Sequence, residues 1–172
     1  MALIGKMRSG KSTIADLLVE NLDYTKLSFG TRLKQFAHEV FDVEDGVKPR
    51  KLYQNFGQYC RKIDNDVWVK WVERDMGDKQ NVVIDDLRQP NEYEWARKNG
   101  FILFKIDCSD EVRLIRMKDK GEDVSPELLN HETERYIDGY TYDYVLNGEV
   151  SPLESYQAIR WLDVYSQKLK AY

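Results

Sequence analysis

Cysteine, histidine and proline are scarce in this chain of 172 residues, which holds two, two and four of them. Cys60 and Cys108 lie far apart and without metal-ligand spacing, so neither a disulfide framework nor a zinc site can be read from them. His38 and His131 have no catalytic partner in the sequence around them and are assigned no role. No repeat, low-complexity tract or Gly/Pro/Ser-rich linker interrupts the chain, which argues for one structural unit. No apolar run approaches the ~20 residues of a membrane span, and the N-terminus lacks the charged-then-apolar layout of a signal peptide. An excess of basic charge is missing too. Lys and Arg number 26 against 30 Asp and Glu, a net charge of -4, which argues against a nucleic-acid polymer as partner. We expect a soluble cytoplasmic protein with no membrane partner; the sequence leaves a homodimer open.

With 42% hydrophobic residues, the chain can bury one sizeable core. The run "MALIG" reads as a short strand feeding a turn, and "KSTIADLLVENL" after it spaces Ile14, Leu17, Leu18 and Leu22 as a helix does. "YTKLSF" reads as a second strand. "TRLKQFAHEVF" puts Leu33, Phe36, Ala37 and Val40 on one helical face, and two more helices are expected from Arg50 to Arg61 and from Asp66 to Met76. "NVVID" and "FILFKID" read as buried parallel strands joined by the helix "PNEYEWARKNG". Asp110 to Lys120 and Ser125 to about Tyr136 are expected as helices, "YDYVLN" as the last strand, and Pro152 as the start of a C-terminal helix. Strands alternating with helices predict an α/β fold, a doubly wound parallel five-stranded sheet flanked by helices.

The loop Gly5, Lys6, Met7, Arg8, Ser9, Gly10, Lys11, Ser12 matches G-x-x-x-x-G-K-[ST] in full, after an expected strand and before an expected helix. Glycines let a backbone wrap close enough for its N–H groups to meet phosphate oxygens, and the helix that follows offers its positive end to the same anion. Lys11 supplies a mobile charge for the β- and γ-phosphates of ATP. Ser12, with Thr13 beside it, offers a hydroxyl to Mg²⁺. Such a site needs a carboxylate near the metal at the C-terminal end of a buried strand, and "NVVIDDLRQPNE" offers Asp85 and Asp86. The bland alternative is that these acids begin a loop and cap the helix after it. Strand alternation alone does not decide which of Asp85 and Asp86 faces the metal.

The GTPase signature N-K-x-D and the ABC signature L-S-G-G-Q are both absent, which leaves the small kinases. "SFGTRLKQFA", "PRKLYQNFGQYCRKIDNDVWVKW", "VVIDDLRQPNEYEWARKNG", "HETE" and "DYVLNGEVSPLE" resemble, in order, the blocks of the phage-type deoxynucleoside monophosphate kinases. That resemblance covers most of the chain. It implies an adenylate-kinase-like fold with a helical acceptor section over about 30–76 and a mobile lid over about 110–125. It also implies transfer of the γ-phosphate of ATP to a deoxynucleoside monophosphate with Mg²⁺, in the host cytoplasm if the protein is phage-encoded. Two departures bear on acceptor preference: Gln89 stands where the family pattern has an aromatic, and "SFGTRLK" replaces "SFADPLK".

An acceptor of this kind carries a phosphate and a flat base, so its site calls for arginine forks and for aromatic or amide side chains. The resemblance implies Arg61 and Arg88, with Arg32 beside them, as acceptor-phosphate ligands. Gln54, Gln58 and Trp68 are candidates for the base or deoxyribose, although Trp68 and Trp71 at i, i+3 also suit a core face. In "SDEVRLIRMKDKGED", Arg113 and Arg116 share a helix face where this architecture places its lid, and a closing segment can deliver them to the transferring phosphoryl group. The catalytic candidates are therefore Lys11, Arg113, Arg116 and Asp86. The rival readings are a kinase resembling dephospho-CoA kinase and a non-catalytic nucleotide-binding module.

Replacing Lys11 with alanine is expected to leave the circular dichroism spectrum intact and to remove most ATP-dependent turnover, because this lysine adds transition-state charge rather than packing. Activity within a few-fold of the parent would sink the phosphate-loop reading.

Overall fold

Alternation along two short strands builds both faces of the sheet. In the strand β1 (Ala2–Ile4), Ala2 and Ile4 point to one face and Leu3 to the other; in β3 (Val82–Ile84), Val82 and Ile84 oppose Val83. All of these side chains are buried, as fits parallel strands covered by helices on both sides. The computed structural model describes residues 1–44, 46–47, 49–121 and 136–170, with the side chains of the last helix described only through Asp163.

β2 (Thr25–Leu27), β4 (Leu103–Asp107) and β5 (Tyr144–Asn147) complete a five-stranded sheet of order β2-β3-β1-β4-β5, parallel throughout. The doubly wound parallel sheet expected from the sequence is the fold observed. On one face, α1 (Lys11–Leu22) and α7 (Pro152–Lys170) pack Ile14, Leu18, Tyr156 and Ile159 against Leu3, Val83, Phe104 and Ile106. On the other, α2 (Phe29–Phe41), α4 (Val67–Met76) and α5 (Pro90–Lys98) pack Leu33, Trp68, Val72 and Trp95 against Ala2, Ile4, Val82 and Ile84. Next to these helices, α3 (Arg50–Ile63) lies against α2 and α4. α6 (Asp110–Asp119) follows β4, and a 3-10 turn at Tyr136–Gly139 leads back into β5. The expected helix from Ser125 to about Tyr136, the "HETE" block with His131, and the end of the 110–125 lid fall outside the described residues.

α2 begins at Phe29, two residues earlier than apolar spacing predicts. The reason is non-local. The Asp86 carboxylate accepts hydrogen bonds from the N–H groups of Phe29 (3.0 Å) and Gly30 (2.9 Å), and the Ser28 hydroxyl also donates to it. A carboxylate on those N–H groups both caps the helix and complements its dipole. α5 starts as the sequence predicts, with Gln89 and Glu92 forming a capping box around Pro90.

Two acceptor candidates are structural. Trp68 is 2% exposed, its ring 6.2 Å from that of Phe56, and its indole N–H donates to the Gly57 carbonyl at 3.3 Å. Core packing uses both its ring and its polar handle, so it does not reach an acceptor. Arg32 forks onto Asp75 of α4 with contacts of 3.0 and 2.7 Å, and its guanidinium lies 5.4 Å from the Trp71 ring centre. The hydrogen bonds from Arg32 hold the Asp75 carboxyl below its ordinary range. Arg32 therefore braces α2 against α4 instead of binding phosphate.

Trp68→Ala is expected to destabilise the fold by roughly 3–5 kcal/mol, the usual result of emptying a buried indole site. Urea unfolding of the two proteins measures the difference.

Candidate active site

The loop between β1 and α1 closes tightly on β4. A Cβ on Gly5 would lie 2.6 Å from the Ile106 carbonyl oxygen, so only glycine fits there. Gly10 has φ 104°, and Arg8 has φ 64°, a left-handed conformation that a side chain tolerates only under surrounding constraint. The constraint is visible in the contacts of the loop. Lys11 donates to the Lys6 carbonyl at 2.8 Å, Arg113 to the Met7 carbonyl at 2.6 Å, and Arg116 to the Arg8 carbonyl at 3.2 Å and the Gly148 carbonyl at 2.8 Å. Three consecutive loop carbonyls thus accept from cationic side chains. The first turn of α1 carries no acidic residue and Gly10 supplies no side-chain cap, so the positive end of this helix is offered outward to an anion.

Arg113 departs from its expected role. It is 1% exposed and also pairs with Asp110 on its own helix, so it is a fixed buttress under the loop and not a residue delivered by a closing lid. Arg116 supports the loop as well but also lines the cavity above it.

That cavity, of about 690 Å³, is bounded by Gly10, Lys11, Ser12, Thr13, Asp85 and Arg116, among others. Alternation separates the two aspartates. Asp85 lies two residues after Val83, on the α1 face, and is 7% exposed. There Lys26 bridges it to Asp16 of α1, with contacts of 3.1 and 2.9 Å. Asp86 turns to the other side and caps α2. It caps a helix earlier in the chain and not, as the bland reading had it, the helix that follows, which Gln89 caps. Among the described residues no group of three His, Cys, Asp or Glu could enclose a metal. The donors present, the Ser12 hydroxyl and the Asp85 carboxylate, are hard oxygens that fit Mg²⁺ held jointly with phosphate oxygens.

A second cavity, of about 350 Å³, opens between α2, α3 and the start of α5. Arg61, Arg88, Gln54 and Gln58 all line it, together with Arg50, Tyr53 and Glu92. Glu92 is buried and organises one wall: it accepts from the N–H groups of Arg88 and Gln89, each at 2.9 Å, and from the Arg61 guanidinium at 3.1 Å. Burial pushes its carboxyl above the ordinary range, against the pull of the Gln89 N–H. Tyr140, stacked on Tyr93 at 4.2 Å, donates to the Arg88 carbonyl at 3.1 Å. Met7, Lys34, Arg50, Asp86 and Arg88 line both cavities and so form the wall between them.

A family model described as an AAA domain matches residues 1–137. The chain belongs to this AAA-domain family. Comparison with curated proteins finds no match. Among solved structures, shikimate kinase from Aquifex aeolicus vf5 is similar at a TM-score of 0.62 and 24% identity, over 98% of this chain and 97% of that one. A gluconokinase from Sinorhizobium meliloti 1021 is similar at 0.60 and 15%, over 96% and 95%. A sugar kinase from Janibacter sp. HTCC2649 is similar at 0.59 and 16%, over 94% and 92%. At such identities the likeness speaks for the fold, which is that of the small P-loop kinases, and not for the acceptor.

Glu92 and Lys34, which line the cavities, and Tyr140, which holds the Arg88 backbone, were passed over by sequence reasoning. Arg50 was within reach: Arg50, Gln54, Gln58 and Arg61 recur at helical spacing and form one polar stripe along α3. Glu92 carries a capping-box signal that explains its backbone contacts but not its hold on Arg61.

Arg113→Ala is expected to lower stability by about 2–4 kcal/mol through a cavity and the lost hydrogen bond to the Met7 carbonyl, and to weaken ATP binding along with turnover. Urea unfolding with calorimetric titration of ATP tests this; loss of kcat alone, at full stability and ATP affinity, would restore Arg113 to a lid role.

Proposed function

We propose that the chain is an ATP-dependent kinase that phosphorylates a deoxynucleoside monophosphate to the diphosphate. The observation that carries this reading is the pair of cavities with a common wall: one on the phosphate loop, the other lined by Arg50, Arg61 and Arg88 with two glutamines. Three arginines suit a phosphate dianion, since each guanidinium offers a planar fork of donors. Gln54, Gln58 and Tyr53 can meet the edge and face of a base.

ATP is read on the loop side, with its phosphates against the loop and the first turn of α1, and with Lys11 at the β- and γ-phosphates. Ser12 and Asp85 are the residues to hold Mg²⁺, which when bound neutralises charge on the β- and γ-oxygens. Asp86 does not bind the metal in this reading; it positions α2 at the boundary. The acceptor phosphate is already an anion, so no general base has to remove a proton.

The structural neighbours include enzymes named for shikimate and gluconate, and a hydroxyl acceptor of that type is the second reading. An alcohol acceptor calls for a base, and Asp86 is the carboxylate placed on the shared wall. Its oxygens, however, already accept from Ser28, Phe29 and Gly30, which leaves few lone pairs open to take a proton from a substrate hydroxyl. Three arginines in the lining also suit a phosphate dianion better than the single carboxylate of shikimate or gluconate.

Incubation with ATP, Mg²⁺ and each of the four deoxynucleoside monophosphates is expected to yield diphosphates. Arg61→Ala should lower kcat/KM for the acceptor roughly ten- to hundred-fold, the loss of a charge-assisted contact of about 1.5–3 kcal/mol, and leave the KM for ATP nearly unchanged. Arg61→Lys should restore part of the loss, because the charge returns without the fork. A rise in the KM for ATP alone would move Arg61 to the donor side.

A further inference from the structure

Most of the cations around the phosphate loop are already bonded to protein oxygens. Lys11 and Arg116 hold loop carbonyls, Arg113 lies beneath the loop, and Arg61 is paired with Glu92. Lys34 differs. It is exposed, it makes no hydrogen bond or ion pair with the described residues, and it lines both cavities. It sits on α2 one turn after Gly30, and a Cβ on Gly30 would lie 3.2 Å from an Asp86 oxygen and 3.6 Å from the Lys34 ammonium. Glycine therefore keeps open the space that Asp86 and Lys34 share. The anchoring of α2 by Asp86 fixes the base of the Lys34 side chain to the end of β3, while the four-carbon stem leaves its charge mobile.

We propose that Lys34 is a catalytic residue that accompanies the phosphoryl group across the wall between the two cavities. The proposal rests on the reading of the chain as a P-loop kinase, and not on which acceptor it uses. In the step itself, an acceptor oxygen forms a bond to the γ-phosphorus. The bond from that phosphorus to the β,γ-bridging oxygen breaks, and its electron pair leaves on ADP. Negative charge spreads over the three equatorial oxygens midway, at the wall that Lys34 lines together with Arg50 and Arg88. A mobile ammonium at that point stabilises the transition state more than either ground state, and it offsets the repulsion that Asp86 exerts on an incoming anion.

Two measurements on Lys34→Met and Lys34→Arg test this. Adenosine 5′-tetraphosphate carries one phosphate beyond the γ position, so it probes the wall without any acceptor. Calorimetric titration should show its affinity falling about ten-fold or more in Lys34→Met, with that of ATP changing less than about three-fold, and Lys34→Arg in between. With any deoxynucleoside monophosphate that the parent turns over, kcat should fall roughly 30- to 100-fold while both KM values stay within about three-fold. Thermal unfolding should be unchanged, since the side chain is exposed. Equal losses for the tetraphosphate and ATP, or no loss for either, would overturn the proposal, as would an unchanged kcat. If the tetraphosphate loses affinity as expected but the parent phosphorylates no deoxynucleoside monophosphate, Lys34 keeps its assignment and the acceptor reading falls.

Discussion

One carboxylate receives three donors from a single turn of chain: Asp86, at the end of β3, binds the Ser28 hydroxyl and the N–H groups of Phe29 and Gly30. Hydrogen bonds to a charged acceptor are the stronger kind, about 1.5–3 kcal/mol each, and here they join segments far apart in sequence. The contact fixes where α2 begins. Through α2 it fixes Leu33 against the core and the position of Lys34 on the boundary between the cavities. α3 and α4 pack on α2 in turn, and the Arg32–Asp75 fork holds that group together. The helical section of the site is thus referred to the sheet through one half-buried charge.

The loop side obeys a different constraint. Its backbone bends through positive φ at Arg8 and Gly10, and such a bend persists only when neighbours over-determine it. Cations on the carbonyls of Lys6, Met7 and Arg8 do so, and two of those cations come from α6. A loop held in this way is organised before any anion arrives, so binding has less ordering entropy to overcome. On the opposite wall Glu92 does the corresponding work, joining the Arg61 side chain to the backbone of Arg88 through a single buried carboxylate. Both sides of the site are therefore held by charged side chains bonded to the backbone of the segments they order.

Much of the fold was legible because its signals are local. Apolar spacing in "KSTIADLLVENL" and "TRLKQFAHEVF" gave the helices, and the β-branched runs gave the strands, since side-chain period follows directly from backbone geometry. The one notable shift, the earlier start of α2, comes from Asp86, a cap more than fifty residues further along the chain that no local window contains. The phosphate loop was legible for the same reason as the helices: its glycines, lysine and serine are contiguous, and Gly5 and Gly10 occupy positions that require glycine.

The sequence by itself determined the α/β order of elements, the loop, and the candidates Arg61, Arg88, Gln54 and Gln58 that meet in one cavity. Tertiary structure alone decided what each long polar side chain does. Arg32, Arg61 and Arg113 look alike in sequence, yet one braces two helices, one lines the cavity against Glu92, and one lies buried beneath the loop. Asp85 and Asp86 are adjacent and chemically identical, yet one faces α1 and Lys26 while the other caps α2. A charged side chain takes its role from the nearest opposite charge or open hydrogen-bonding group. Those neighbours are brought up by segments distant in sequence, so only the folded chain can assign them.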